Sequence, residues 1–197
     1  MRDSNDKAKK IKKIAFKLFL EKGYEATTVR MLCKKAKIEA PTLYYYFKSK
    51  KGLFFAVIDD ILEDYKVLLE EFSIESCTNP EEKLIKFFKF SVNYSIIREN
   101  ETRFYLRYRL FKPNELKKDI DIHMKETYEN KRKLYIEPLQ ECISLGEIEY
   151  DLNEAFQKLT NFIDNCTFNI IFSQWRPSEK EIDISWKLFY EYQMKKL

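Results

Sequence analysis

The sequence predicts an all-α chain, with a small basic N-terminal domain of three helices and a larger helical C-terminal domain. Three observations carry this. Only 3 Gly and 5 Pro occur among 197 residues, while 45% are apolar and 35% charged; β-rich chains depend on glycine and proline as punctuation, and long helices do not. Apolar residues recur at helical spacing through most of the chain. Charge is divided unevenly: residues 1–50 hold 14 Lys and Arg against 5 Asp and Glu, a net of +9, and the remainder carries a net of −5. A basic head on an acidic body is the electrostatic footprint of a nucleic-acid-binding domain joined to something else, although solvated helix faces alone also produce charge runs.

The first helix carries Ile11, Ile14, Ala15, Leu18 and Phe19 on one face, with Lys7, Lys9, Lys10, Lys12 and Lys13 before and among them. Gly23 follows as a left-handed stop. In the next segment Val29, Leu32, Cys33 and Ala36 fall at i, i+3, i+4 and i+7, one buried face of a short helix, with Thr28 as its N-cap. After Lys37 a third short helix is expected, with Pro41 at its first position, where a missing N–H costs nothing. Leu43 and Phe47, four apart, point one way. A helix this short cannot bury three consecutive tyrosines, so some of Tyr44, Tyr45 and Tyr46 must be exposed beside lysines. Such groups suit phosphate oxygens and base edges. Two short helices of this kind have the anatomy of a helix-turn-helix, whose second helix enters the major groove.

At these residues a resemblance becomes specific. Thr28-Val29-Arg30, Leu32-Cys33, Ala36, Ile38 and Pro41-Thr42-Leu43-Tyr44-Tyr45-Tyr46-Phe47-Lys48-Ser49-Lys50 resemble the DNA-binding domain of the TetR family of bacterial transcriptional regulators. Ile11, Ala15, Leu18-Phe19 and Lys22-Gly23-Tyr24 upstream, with Leu53, Ala56 and Val57 downstream, fit the same pattern. The resemblance covers about a quarter of the chain. It implies a homodimeric repressor bound to a double-stranded DNA operator through residues 1–50, with a helical ligand-binding and dimerisation domain over 73–197 and a fourth helix, about 50–72, between them. It also implies a phosphate contact for Thr28 and a base-edge or backbone contact for Arg30. In the recognition helix the expected DNA-binding residues are Pro41, Thr42, Tyr44 and Tyr45, with Ala40 against a thymine methyl and Tyr46 divided between packing and phosphate. Lys50, in the first turn of a helix capped by Ser49, offers a phosphate site. Two positions depart from the family pattern: Lys37 stands where glycine is usual, requiring a positive φ or a different turn, and Glu39 caps less well than Ser or Thr.

Beyond the polar break from Ser73 to Asn79, a helix starting at Asn79 or Pro80 carries Leu84, Phe87, Phe88, Ser91 and Val92 on one face. A shorter one from Thr102 to Lys112 is dense in aromatics. A long segment then runs to Leu145 and Gly146, kinked or split by Pro138. The stretch from Asn153 to about Ser173 is apolar on almost every side and needs cover all round. Arg176-Pro177 ends it, and Ser178-x-x-Glu181 makes a capping box for a last helix with Trp186, Phe189, Tyr190 and Gln193 on one face. In the TetR family the last two helices form the dimer interface, so Phe162, Cys166, Ile170, Trp186, Phe189 and Tyr190 are the expected interface residues.

The bundle's aromatics suit a small apolar or cationic effector, for which Phe88, Tyr105, Tyr108 and Phe168 are candidate ligand residues; the effector's identity stays open. A single histidine, no glycine-rich loop and no nucleophile motif leave no catalytic constellation, so no enzyme is expected. Cys33, Cys77, Cys142 and Cys166 are scattered without metal-ligand spacing, and neither metal nor cofactor is expected. With no run of about 18 apolar residues and no N-terminal apolar core, no membrane span or secretory signal is expected, and the cytoplasm is the default location. The rival reading is a helical protein-binding adaptor that uses the basic head on an acidic partner.

Overall fold

The structure, a computed structural model, describes residues 2–71, 77 and 79–195. It is helical, with no strand among those residues. In order the helices are α1 (Arg2–Lys22), α2 (Val29–Ala36), α3 (Ala40–Phe47), α4 (Lys50–Glu71), α5 (Pro80–Ile97), α6 (Glu99–Leu110), α7 (Lys117–Ser144), α8 (Leu152–Phe172) and α9 (Glu179–Phe189), with a 3₁₀ turn at Asn114–Leu116 and a π turn at Tyr190–Met194. The expected polar break at 73–79 lies mostly outside the described residues.

The chain divides into two compact units, one of residues 1–67 with 103–121, the other of 68–102 with 122–197. The first unit is therefore larger than the expected domain of residues 1–50, because residues 103–121 supply part of its core. Phe54 of α4 is its hub: the ring meets Phe19 at 5.5 Å, Tyr24 at 5.1 Å and Tyr108 at 4.8 Å, all edge-on. Edge-to-face contacts at these distances add to area burial. Arg107 donates to the carbonyl of Leu20 (2.9 Å) and Tyr108 to that of Phe19 (3.0 Å), satisfying acceptors at the end of α1. Burial raises the Tyr108 hydroxyl to about 12, so it stays a donor at any ordinary pH. Lys12 pairs with Asp60 and Lys112 with Asp121.

In the second unit α5 and α8 are the main packing pair. Phe88 stacks on Phe162 at 4.9 Å, and Phe162 on Phe189 of α9 at 4.1 Å. Asn79 caps α5 by accepting from Glu81 N–H (2.8 Å), and Asp151 caps α8 by accepting from Asn153 and Glu154. The capping box at Ser178 and Glu181 forms in both directions. α7 stays one helix across Pro138 and ends at Ser144, with Gly146 following at φ 74°.

Several expectations need correction here. Cys166, Ile170, Trp186, Phe189 and Tyr190 are buried within the chain itself and Phe162 is half-buried, so these residues build the protomer's core rather than an exposed interface. α8 is not apolar all round, since Asn161, Asn165 and Asn169 occupy its outer face. The exposed apolar row of this unit is Ile184, Leu188 and Tyr192, with Phe172. Gln193 is exposed and Met194 takes the buried position, because the π turn carries the inner face one residue further than α spacing does. The four candidate ligand residues are divided between the two units. Tyr105 and Tyr108 belong to the part of α6 in the first unit, where Tyr108 is core, whereas Phe88 is core of the second unit and Phe168 pairs with Phe172.

Candidate nucleic-acid interface

Thr27 and Thr28 divide the work of turning α1 into α2. Thr27 is fully buried, its hydroxyl 2.7 Å from the Gly23 carbonyl and 3.2 Å from that of Leu18. Gly23 has φ 84°, as its place after the last apolar residue of α1 requires. Thr28 is exposed, extended (φ −98°, ψ 155°), and accepts from Met31 N–H at 3.2 Å. The exposed side of its hydroxyl and the exposed Arg30 lie together at the start of α2.

The turn to α3 settles the question raised by Lys37: it adopts the left-handed conformation (φ 56°, ψ 51°). Its N–H reaches Lys34 O (3.4 Å) and Ile38 N–H reaches Cys33 O (3.1 Å), the two bonds of a Schellman stop. Lysine holds this turn at a cost of roughly 1–2 kcal/mol relative to glycine. Burial, with Glu39 nearby, raises the Cys33 thiol above its usual value, as befits a packing residue.

α3 begins at Ala40, so Pro41 is its second residue rather than its first, and Glu39 makes no side-chain cap bond. Leu43 is completely buried, which fixes the rotation of the helix, and Tyr45 is then 71% and Tyr44 45% exposed. Pro41 is exposed as well, while Ala40, Thr42 and Tyr46 are half-buried. Tyr46 packs against the rings of Tyr45 (5.1 Å) and Phe47 (6.1 Å).

The junction to α4 is tight. Lys48 has φ 64°, and Ser49 caps α4 by accepting from Gly52 N–H at 2.9 Å. A Cβ on Gly52 would lie 2.1 Å from the Phe47 carbonyl oxygen, so only glycine lets the end of α3 approach this closely. Lys50 is turned inward, contrary to its expected exposure to phosphate: its ammonium donates to Tyr24 O (3.0 Å) and sits 4.0 Å over the Tyr24 ring. Burial, then the Glu115 carboxylate bonded to its hydroxyl, pushes Tyr24 well above the usual tyrosine value. Lys51, which the sequence did not single out, pairs instead with Asp119 at 2.8 Å, and that ammonium holds the Asp119 carboxyl below its usual value. Nothing in local sequence links residues 68 positions apart.

Residues 11–57 match the family model for bacterial regulatory proteins, tetR family. Among curated proteins, the HTH-type transcriptional repressor ComR of Escherichia coli (strain K12) is 41% identical over 68 residues, 32% of each chain. The HTH-type transcriptional repressor KstR2 of Mycolicibacterium smegmatis is 28% identical over 144 residues, 71% of this chain and 66% of its own. The matched stretches thus span about a third to two thirds of those relatives' lengths. The fatty acid degradation regulator FadR from Bacillus halodurans superposes with a TM-score of 0.75 over 96% of this chain and 97% of its own at 18% identity, a likeness of fold.

Proposed function

Through residues 11–57 the chain belongs to the TetR family of bacterial transcriptional regulators, and from that premise we propose that it is a dimeric, ligand-responsive repressor of a palindromic DNA operator. The observation that carries the reading is the rotation of α3. With Leu43 completely buried, the eight-residue helix turns Pro41, Tyr44 and Tyr45 to solvent. Thr28 and Arg30 on α2 are exposed too. In this reading α3 enters the major groove, Tyr44, Tyr45, Pro41 and Thr42 meet base edges and backbone, Ala40 meets a thymine methyl, and Thr28 holds a phosphate. Arg30 reaches a base edge or the backbone, and Tyr46 supports Tyr45 through an edge-to-face ring contact.

The dimer forms through the exposed row Ile184, Leu188 and Tyr192 with Phe172, apolar groups that cost least when a second copy covers them. An effector, an apolar or cationic small molecule suited to the aromatic interior of the second unit, acts by differential affinity. By binding best to the form whose two heads do not fit grooves about 34–36 Å apart, it lowers operator affinity by that preference. No helix among the described residues is long and apolar enough to cross a membrane.

The test is selection of bound sequences from a random duplex pool at near-physiological salt, with the Tyr44→Ala/Tyr45→Ala double variant alongside. A palindrome that the variant fails to bind is expected. Weak, sequence-blind binding lost with salt would favour the adaptor instead.

A further inference from the structure

The lysines at the α3–α4 junction are engaged differently. Lys48 reaches the Tyr45 carbonyl (3.3 Å) and Lys50 the Tyr24 carbonyl and ring, both neutral partners. Lys51 is paired with an anion, Asp119, at 2.8 Å. Asp119 comes from the first turn of α7, in the 103–121 segment that completes the same compact unit. That segment is fastened to α1 at two other points, by Arg107 to Leu20 O and by Tyr108 to Phe19 O, and is braced within itself by the Lys112–Asp121 pair, so Asp119 is held on Lys51 by a preset scaffold and not by a loose chain. Lys51 itself is exposed, in the first turn of the helix that starts two residues after the recognition helix. There a free ammonium and the helix's positive end would both attract phosphate.

We propose that Asp119 is an intramolecular stand-in for a DNA phosphate, competing with the duplex backbone for Lys51 and thereby setting the affinity of the head. The inference rests on the DNA-binding reading above. In the free protein the carboxylate neutralises Lys51. On the duplex Lys51 exchanges Asp119 for a phosphate and the released carboxylate adds local repulsion, so the head binds more weakly than its lysine content implies. An exposed ion pair carries about a two- to fivefold preference, so two heads in a dimer bring the effect to about tenfold. Each lysine freed for phosphate also steepens the fall of log K with log salt by about 0.9.

The experiment titrates the selected duplex against wild type, Asp119→Asn, Asp119→Ser, Lys51→Met and the Lys51→Met/Asp119→Asn double variant over a salt series. Both Asp119 variants are expected to bind about tenfold tighter at low salt. In the Lys51→Met background, Asp119→Asn should lose most of that gain. Equal affinity of wild type and both Asp119 variants, or the same gain with and without Lys51, overturns the proposal while leaving specific DNA binding intact. Failure of wild type and Asp119 variants alike to bind any duplex overturns the DNA-binding reading and this inference together.

Discussion

At Gly52 one missing methyl group decides how two helices meet. The contact with the Phe47 carbonyl leaves no room for a Cβ, and backbone cannot swing aside as a flexible side chain does. Gly52→Ala is expected to destabilise the head by about 1–3 kcal/mol, the usual cost of overpacking, and to weaken operator binding further by tilting α3. Denaturant unfolding and duplex titration of the same variant would check this, and unchanged values in both would refute it. Some residue-scale features are legible in sequence because their causes are local: the Thr28 cap and the exposure of Tyr45 each follow from neighbours within four positions, whereas at Lys37 the sequence leaves a positive φ and a different turn both open. The partners of Lys50 and Lys51 are not legible, since Tyr24 and Asp119 are brought to them by the fold.

Element boundaries were legible wherever chemistry punctuates the chain. Ser178 and Glu181 specify the start of α9, and the carboxylate accepts from the Ser178 N–H at 2.8 Å and its hydroxyl at 2.7 Å. These bonds, backbone first, lower the Glu181 pKa below the ordinary value of 4.5. Since the folded value is the depressed one, the stabilisation is present above pH 4.5 and lost as pH falls through the folded value. The difference in unfolding midpoint between wild type and Glu181→Gln should therefore be present at neutral pH and shrink under acid conditions; a pH-independent difference would contradict it. The π turn at Tyr190–Met194 was not legible, because periodicity assumes 3.6 residues per turn and nothing in the residues themselves announces the wider one. That single shift exposes Gln193 and buries Met194.

For the whole molecule, helical class and basic head were readable from composition and charge, whereas the choice of face was not. An apolar residue looks the same in sequence whether its own chain or a second copy covers it, and Trp186, Phe189 and Tyr190 are covered by their own chain. The exposed row makes the corrected prediction: Ile184→Glu with Leu188→Glu should leave the helical content unchanged, give monomers by sedimentation, and reduce operator affinity by at least about thirtyfold, as expected when a central apolar cluster worth 2 kcal/mol or more is charged. A double variant that stays dimeric would move the interface elsewhere. The head's construction from two separate stretches, residues 1–67 and 103–121, has a genetic consequence. A single recombination joint after α4 would transfer Phe54 without Tyr108 and Phe104, and Lys51 without Asp119. A head moved by one crossover would therefore arrive without part of its own core, whereas a point substitution on the exposed face of α3 leaves that core intact.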